Sequence, residues 1–358
     1  MSGVQHGFDL RAGMGVSAPV RCQSHERRAV QLSLHYYLLC GMTRSMQTVE
    51  VFSQKGGVGK TTLSVLLARE FVKQKKLSAL IIDADLSGTC LGDGLIDLQW
   101  STAPGLADLI CDPPENLPEV LKNPPVYCLD RAGKTTDEVR LGSDGPGKKS
   151  QIWFCPSHLY VQRAKYADVL RALAAHESSG NWVRYVIDAL INSVASHLRR
   201  LETPGLGAVI IDHSPGLAAL QQSSLDRIRQ SAIKAAQVLK AAQVVKDDEV
   251  VNPGSSHCGI LIMNRDKADV KMCTLFSDIE ANTLDVHVNG SDLGVERSHY
   301  LTFVVNRTDT QIKSLEPHFS IPNDGTVGTA TEKGQLGRFK IPSNVASAIT
   351  EIANVVFR

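Results

Sequence analysis

The chain has 358 residues, 43% hydrophobic and 21% charged, which is enough for a sizeable core in one large α/β domain or two smaller ones. Net charge is +1, so no global field points to nucleic acid or a membrane surface. No run reaches the about 18 apolar residues that span a bilayer, and none of the eight cysteines forms a C-x-x-C pair. Most cysteines sit in apolar runs such as "IWFCPS", which reads as small buried hydrophobes in a reducing cytoplasm.

Residues 1–45 show no clear period and are expected to be a disordered arm or an over-long start, leaving a single domain over 46–358. "TVEVFS" is a short β-branched strand that runs into the Gly-rich "KGGVGKTT" (Lys55 to Thr62). "TTLSVLLAREFVKQKK" follows with Leu63, Leu66, Leu67 and Phe71 at helical spacing. "LSALIIDAD" is a continuous apolar strand, as a doubly covered parallel strand should be. Residues 112–150, rich in Pro, Gly, Asp and Lys, read as an irregular insertion with one short helix and a hairpin. "QIWFCPS" is a third strand, followed by helices over 159–177 and 182–202. "LGAVIIDHSPG" is a fourth strand and precedes a long, cation-bearing helix over 220–245. "CGILIMNRD", "YLTFVVNRTD" and "HFSIPND" supply further strands. "IPSNVASAITEIANVVF" closes the chain as an amphipathic helix capped by Ser343 or Asn344. Alternation of this kind predicts a three-layer α/β/α domain with a mainly parallel central sheet.

"KGGVGKTT" satisfies the end of the phosphate-loop pattern with Gly59, Lys60 and Thr61, although Gln54 stands where the first glycine is usual. Gly56, Gly57, Val58 and Gly59 bring backbone N–H groups close to phosphate oxygens beside a helix N-terminus. Lys60 is expected at the β/γ-phosphates, the Thr61 hydroxyl on Mg²⁺ and Thr62 near the α-phosphate. Three carboxylates follow apolar strands. Asp83 and Asp212 are expected near Mg²⁺, and Asp85 is the candidate that orients the attacking water.

These motifs resemble the ParA/MinD family of deviant Walker A P-loop ATPases, in the class that includes the ArsA-type ATPases and the nitrogenase iron protein. "KGGVGKTT" matches its K-G-G-x-G-K-[ST]-[ST]. "DADLSGT" resembles its switch I, "IIDHSPG" its D-x-x-P-G switch II, and "VVNRTD" its base-binding strand end. The resemblance runs from about Thr48 to the C-terminus. It implies a homodimer formed on ATP binding, in which Lys55 reaches the phosphates held by the other subunit.

"NRTD" leaves the base open. Asn306 and Arg307 would meet adenine if the resemblance holds, yet the tetrad also echoes the guanine-reading N-K-x-D. Asp309 reads as a helix N-cap. The resemblance implies a dimeric ATPase switch that positions or partitions a cargo, with an adaptor or ParB-like activating protein as partner. A ligase or synthetase of the related P-loop group and an ArsA-type client-targeting ATPase are the alternatives. Non-specific DNA stays open as a partner: Arg227, Arg229, Lys234, Lys240, Lys333, Arg338 and Lys340 are the candidate cations, in numbers ordinary for a solvated face. The closing helix has few cations, so membrane targeting through it is not expected. Without C-x-x-C, an iron–sulfur cluster is not expected either.

Overall fold

The computed structural model describes residues 46–86, 104–129, 140–141, 149–157, 168–169, 171, 174, 179–215, 223–233, 256–266, 269–271, 285–288, 291–294, 300–308, 318–332, 335–337 and 339–357. The chain divides into two units, Met1–Arg44 and Ser45–Arg358, and all described residues belong to the second. The expectations for residues 1–45, for the helix over 159–177 in its greater part, for the helix over 220–245 outside 223–233, for Lys234, Lys240, Lys333 and Arg338, and for Asp309 lie outside the described residues.

The frame is an eight-stranded sheet. Its strands are β1 (Gln47–Phe52), β2 (Ser78–Ala84), β3 (Tyr127–Cys128), β4 (Ile152–Cys155), β5 (Leu206–His213), β6 (His257–Asn264), β9 (Leu301–Asn306) and β10 (His318–Ile321). They lie in the order β10-β9-β6-β1-β5-β2-β4-β3. Every pairing is parallel except β3 with β4. A separate antiparallel hairpin pairs β7 (Asp285–Val288) with β8 (Ser291–Gly294).

The central strands are apolar because both faces are covered, and alternate residues divide between two cores. Val49, Val51, Ile81 and Ile210 face α1 (Lys60–Lys75) and α6 (Ser343–Val356). Leu80, Ile82, Val209 and Ile211 face the other layer, built by α2 (Leu106–Cys111), α3 (Leu117–Val120) and α4 (Ser179–Arg200). On that second side, beside β6 and β9, Leu225, Ile228 and Ala232 of a helical stretch over 223–233 pack on Phe52, Leu261 and Phe303. The three-layer α/β/α fold with a mainly parallel sheet is therefore present. α5 (Gly325–Glu332) follows β10.

The short helix expected in the insertion is present as α3, and three local features add to or correct the sequence reading. The insertion holds α3 and the short β3, which pairs antiparallel with β4 at the sheet edge, and Tyr127 bridges Arg140. A two-residue strand is too short to show a period in sequence. The β7–β8 hairpin was not foreseen. The closing helix starts after Pro342, which takes the N-cap at φ −57° and ψ 145°, so Ser343 is its first helical residue and no side chain caps it. The core-facing character of that helix is borne out: Val345, Ile349, Ile352 and Val356 are buried against α1.

Candidate functional site

The glycine-rich loop leaves the C-terminal end of β1 and turns directly into α1. Gly57 and Gly59 take φ of 73° and 95°, the left-handed region that a Cβ disfavours. Gly59 is the helix N-cap, and its carbonyl accepts the first helical bond, from Leu63 N–H at 2.9 Å. The first turn of α1 therefore presents its backbone N–H groups at the loop, which is the geometry that holds anions. Ser53 Oγ closes the front of the loop by donating to the Lys55 carbonyl at 2.7 Å. A Cβ on Gly59 would also lie 2.4 Å from Asn306 Nδ2. Gly59→Ala is expected to cost about 1–2 kcal/mol of stability and to lose nucleotide binding, read by thermal unfolding and by titration with a fluorescent nucleotide.

Parallel pairing of β2 with β5 places Asp83 beside Asp212 at the strand ends, on the face toward α1. Both are buried. Thr61 Oγ1 donates to Asp212 Oδ2 at 2.7 Å, while the buried Asp212 Oδ1 has no hydrogen-bond partner. Burial pushes the Asp212 carboxyl up to about 7, against the pull of Lys60 and with a further push from Asp83. The bond from Thr61 also lowers it, and Asp85 raises it. A buried hydroxyl–carboxylate pair with one spare oxygen, beside a buried lysine, fits a hard divalent cation that keeps part of its water shell. Asp83 is arranged differently: Oδ1 accepts from Asp85 N–H at 3.0 Å and Oδ2 from Ser157 Oγ at 3.0 Å. It shapes the strand end and holds the start of the segment carrying Asp85.

Lys60 is buried at the loop. Thr62 and Asn306 line a cleft of about 410 Å³ beside the loop, together with Arg307, Asn323 and Asp324. Asn306 does more than line it. Its Nδ2 donates to the Val58 carbonyl at 2.8 Å, and its Oδ1 accepts from Arg307 N–H at 3.0 Å. The amide therefore braces the loop, and a base contact from this side chain would use its second amide hydrogen or the remaining lone pair of Oδ1. Arg307 sits at φ 59°, a strained conformation for a residue with a Cβ. Asp324 Oδ1 accepts from Thr326 N–H at 2.9 Å and from Thr326 Oγ1 at 2.6 Å, bonds that hold its carboxyl below the usual range.

Lys55 lies on the outer side of the loop. In the single chain its Nζ is 2.8 Å from Asp266 Oδ2, just beyond the end of β6, with both side chains about half exposed at 45% and 56%. The bond to Asp266 raises the lysine pKa. Asp266 and Ser157 were not singled out from the sequence. "MNRD" and "CPS" are ordinary strand ends, and only the sheet order brings them to the loop.

The sequence matches the model of the CobQ/CobB/MinD/ParA nucleotide-binding domain over residues 49–319. The chain belongs to this family. No curated relative matches it. Among solved structures it is similar to the septum site-determining protein MinD of Pyrococcus horikoshii, complexed with Mg-ADP, at 15% identity, covering 86% of this chain and 94% of that one, TM-score 0.45. It is also similar to a ParA family ATPase from Chlorobium tepidum, at 12% identity, 86% and 98% coverage and TM-score 0.47. An ATP complex of a Cyanothece McdA variant matches at 15% identity, 87% and 97% coverage and TM-score 0.46. This member of the CobQ/CobB/MinD/ParA family has, among its described residues, no helix long and apolar enough to cross a membrane.

Proposed function

We propose that the chain is an ATPase that binds and slowly hydrolyses ATP as a nucleotide-gated dimer, and that the dimer positions or partitions a cargo until an activating partner releases it. The observation that carries this reading is the Thr61–Asp212 pair beside buried Lys60, with Asp212 Oδ1 left spare. Membership of a nucleotide-binding family supports it.

In this reading the loop amides and Lys60 take the β- and γ-phosphates, and Thr62 takes the α-phosphate. Thr61 and Asp212 hold Mg²⁺, with Asp83 behind them. The ion, when bound, neutralises charge on the β- and γ-oxygens. Asp85 orients the attacking water. The base enters the cleft lined by Asn306 and Arg307, and adenine is the base proposed. Lys55 exchanges Asp266 for the phosphates of a second copy, a cation delivered in trans. An adaptor or ParB-like protein is the activator proposed, non-specific DNA a candidate surface for the dimer, and the cytoplasm its setting.

The test is the mass of the protein in solution with ADP, with ATP and with a non-hydrolysable ATP analogue, alongside phosphate release. Dimer with ATP or the analogue, monomer with ADP and slow release are expected. A monomer under all three conditions would contradict the reading.

A further inference from the structure

β1 carries a charge where an apolar residue belongs. Glu50 lies in the middle of the central strand and is fully buried. Both its oxygens are engaged. Oε1 accepts from Arg184 Nη1 of α4 at 2.6 Å and from His257 Nε2 of β6 at 2.6 Å, and Oε2 accepts from His213 Nε2. Burial alone would raise its carboxyl. Arg184 beside it, with bonds from His213 and His257, outweighs burial and holds it well below the usual range. Glu50 thus contributes stability that is present above the ordinary carboxylate range and lost as pH falls through its depressed value.

A buried ion pair of this kind is weak evidence for stability, because apolar residues of similar volume often serve as well. Its best-attested use is to specify register. His213 is the residue after Asp212, and consecutive strand residues point to opposite faces. Asp212 faces α1 and Thr61. His213 faces the other layer, where its ring stacks on Phe52 at 4.6 Å between centroids and meets Glu50. A slip of one residue at this strand end would turn Asp212 away from Thr61. The same cluster reaches the helical stretch over 223–233: Arg184 Nη1 donates to Ser224 Oγ at 3.2 Å, and Asp188 of α4 accepts from Arg227 at 2.6 Å.

We propose that Glu50 and His213 are positioning residues for the cation site: by gripping His213 on one face of the sheet, Glu50 fixes Asp212 toward Thr61 on the other. This rests on the nucleotide-binding reading above. Outer partners that orient a metal ligand are commonly worth about 10–100-fold in metal affinity. His213→Phe keeps the stack on Phe52 and removes the bond to Glu50. It is expected to bind ADP without Mg²⁺ as the parent does, and to need about 10–100-fold more Mg²⁺ for half of the Mg²⁺-induced change in ADP affinity and thermal stability. His213→Gln, long enough to donate to Glu50, is expected to restore most of the effect.

A merely packing role would lower the unfolding temperature of His213→Phe and leave its Mg²⁺ requirement unchanged, which would overturn the proposal. If His213→Phe does not fold, His213→Asn, too short to reach Glu50, replaces it; equal Mg²⁺ requirements in the Asn and Gln variants would overturn the proposal equally. A parent chain that binds no ADP with or without Mg²⁺ would instead defeat the nucleotide reading, and this one with it.

Discussion

Lys55→Ala is expected to bind ATP as the parent does and to lose turnover by about 10³–10⁵-fold, the range a charge delivered in trans supplies to phosphoryl transfer. Two observations separate this lysine from Lys60. Lys60 is buried at the start of α1, where its charge lies near Asp212. Lys55 is half exposed and paired with Asp266 at the end of β6. Deleting Lys55 therefore leaves the local phosphate cradle intact. The Lys55–Asp266 bond is exposed to solvent, which screens it, so it is easily exchanged for phosphate oxygens. Nucleotide titration and phosphate release, measured on the same preparation, check the split. Equal loss of binding and turnover would place Lys55 in its own subunit's site.

Asp212→Asn is expected to remove the response to Mg²⁺ and to lower turnover by several kcal/mol of barrier, on the order of 10³-fold. The same substitution should raise the stability of the nucleotide-free protein above neutral pH. The sign follows from the folded value of about 7, well above that of an unfolded aspartate. Folding favours the protonated carboxyl, so this group costs stability increasingly as pH rises from about 4 to 7, on the order of 1–4 kcal/mol in all. An amide carries no such cost. If Asp212 helps hold a divalent cation, the cation would compete with the proton, so stabilisation by Mg²⁺ should strengthen as pH rises through about 7. Thermal unfolding of parent and variant at pH 6 and pH 8, with and without Mg²⁺-ADP, checks both directions. A variant that stays responsive to Mg²⁺ would move the cation site elsewhere.

Most of the frame was legible because its signals are local. β1 is a short β-branched run, β2, β5, β6 and β9 are largely apolar, α1 begins at a glycine loop, and α6 has a clean helical stripe. The loop, Lys60, Thr61 and the strand-end carboxylates follow from the same runs. What was not legible depends on strand order. Asp266 meets Lys55, and Ser157 meets Asp83, only because β6 and β4 lie where they do in the sheet. Asn306 stands out in the sequence as a strand-end residue, but its bond to the Val58 carbonyl needs the two strand ends side by side. One signal in the sequence was passed over: Glu50 interrupts an apolar strand, and a charge there needs buried partners. Those partners, Arg184, His213 and His257, come from three separate elements and carry no pattern of their own.

The most direct test of the dimer-gated reading mixes two inactive variants. In that reading, Lys55→Ala would keep its own phosphate cradle and Asp85 but could not supply the trans lysine, and Asp85→Ala would supply that lysine but could not orient water in its own site. If Lys55 acts across a dimer, phosphate release should reappear when the two are combined with ATP, because each mixed dimer contains one complete site. A mixture that dimerises with ATP yet stays as inactive as either variant alone would contradict the account.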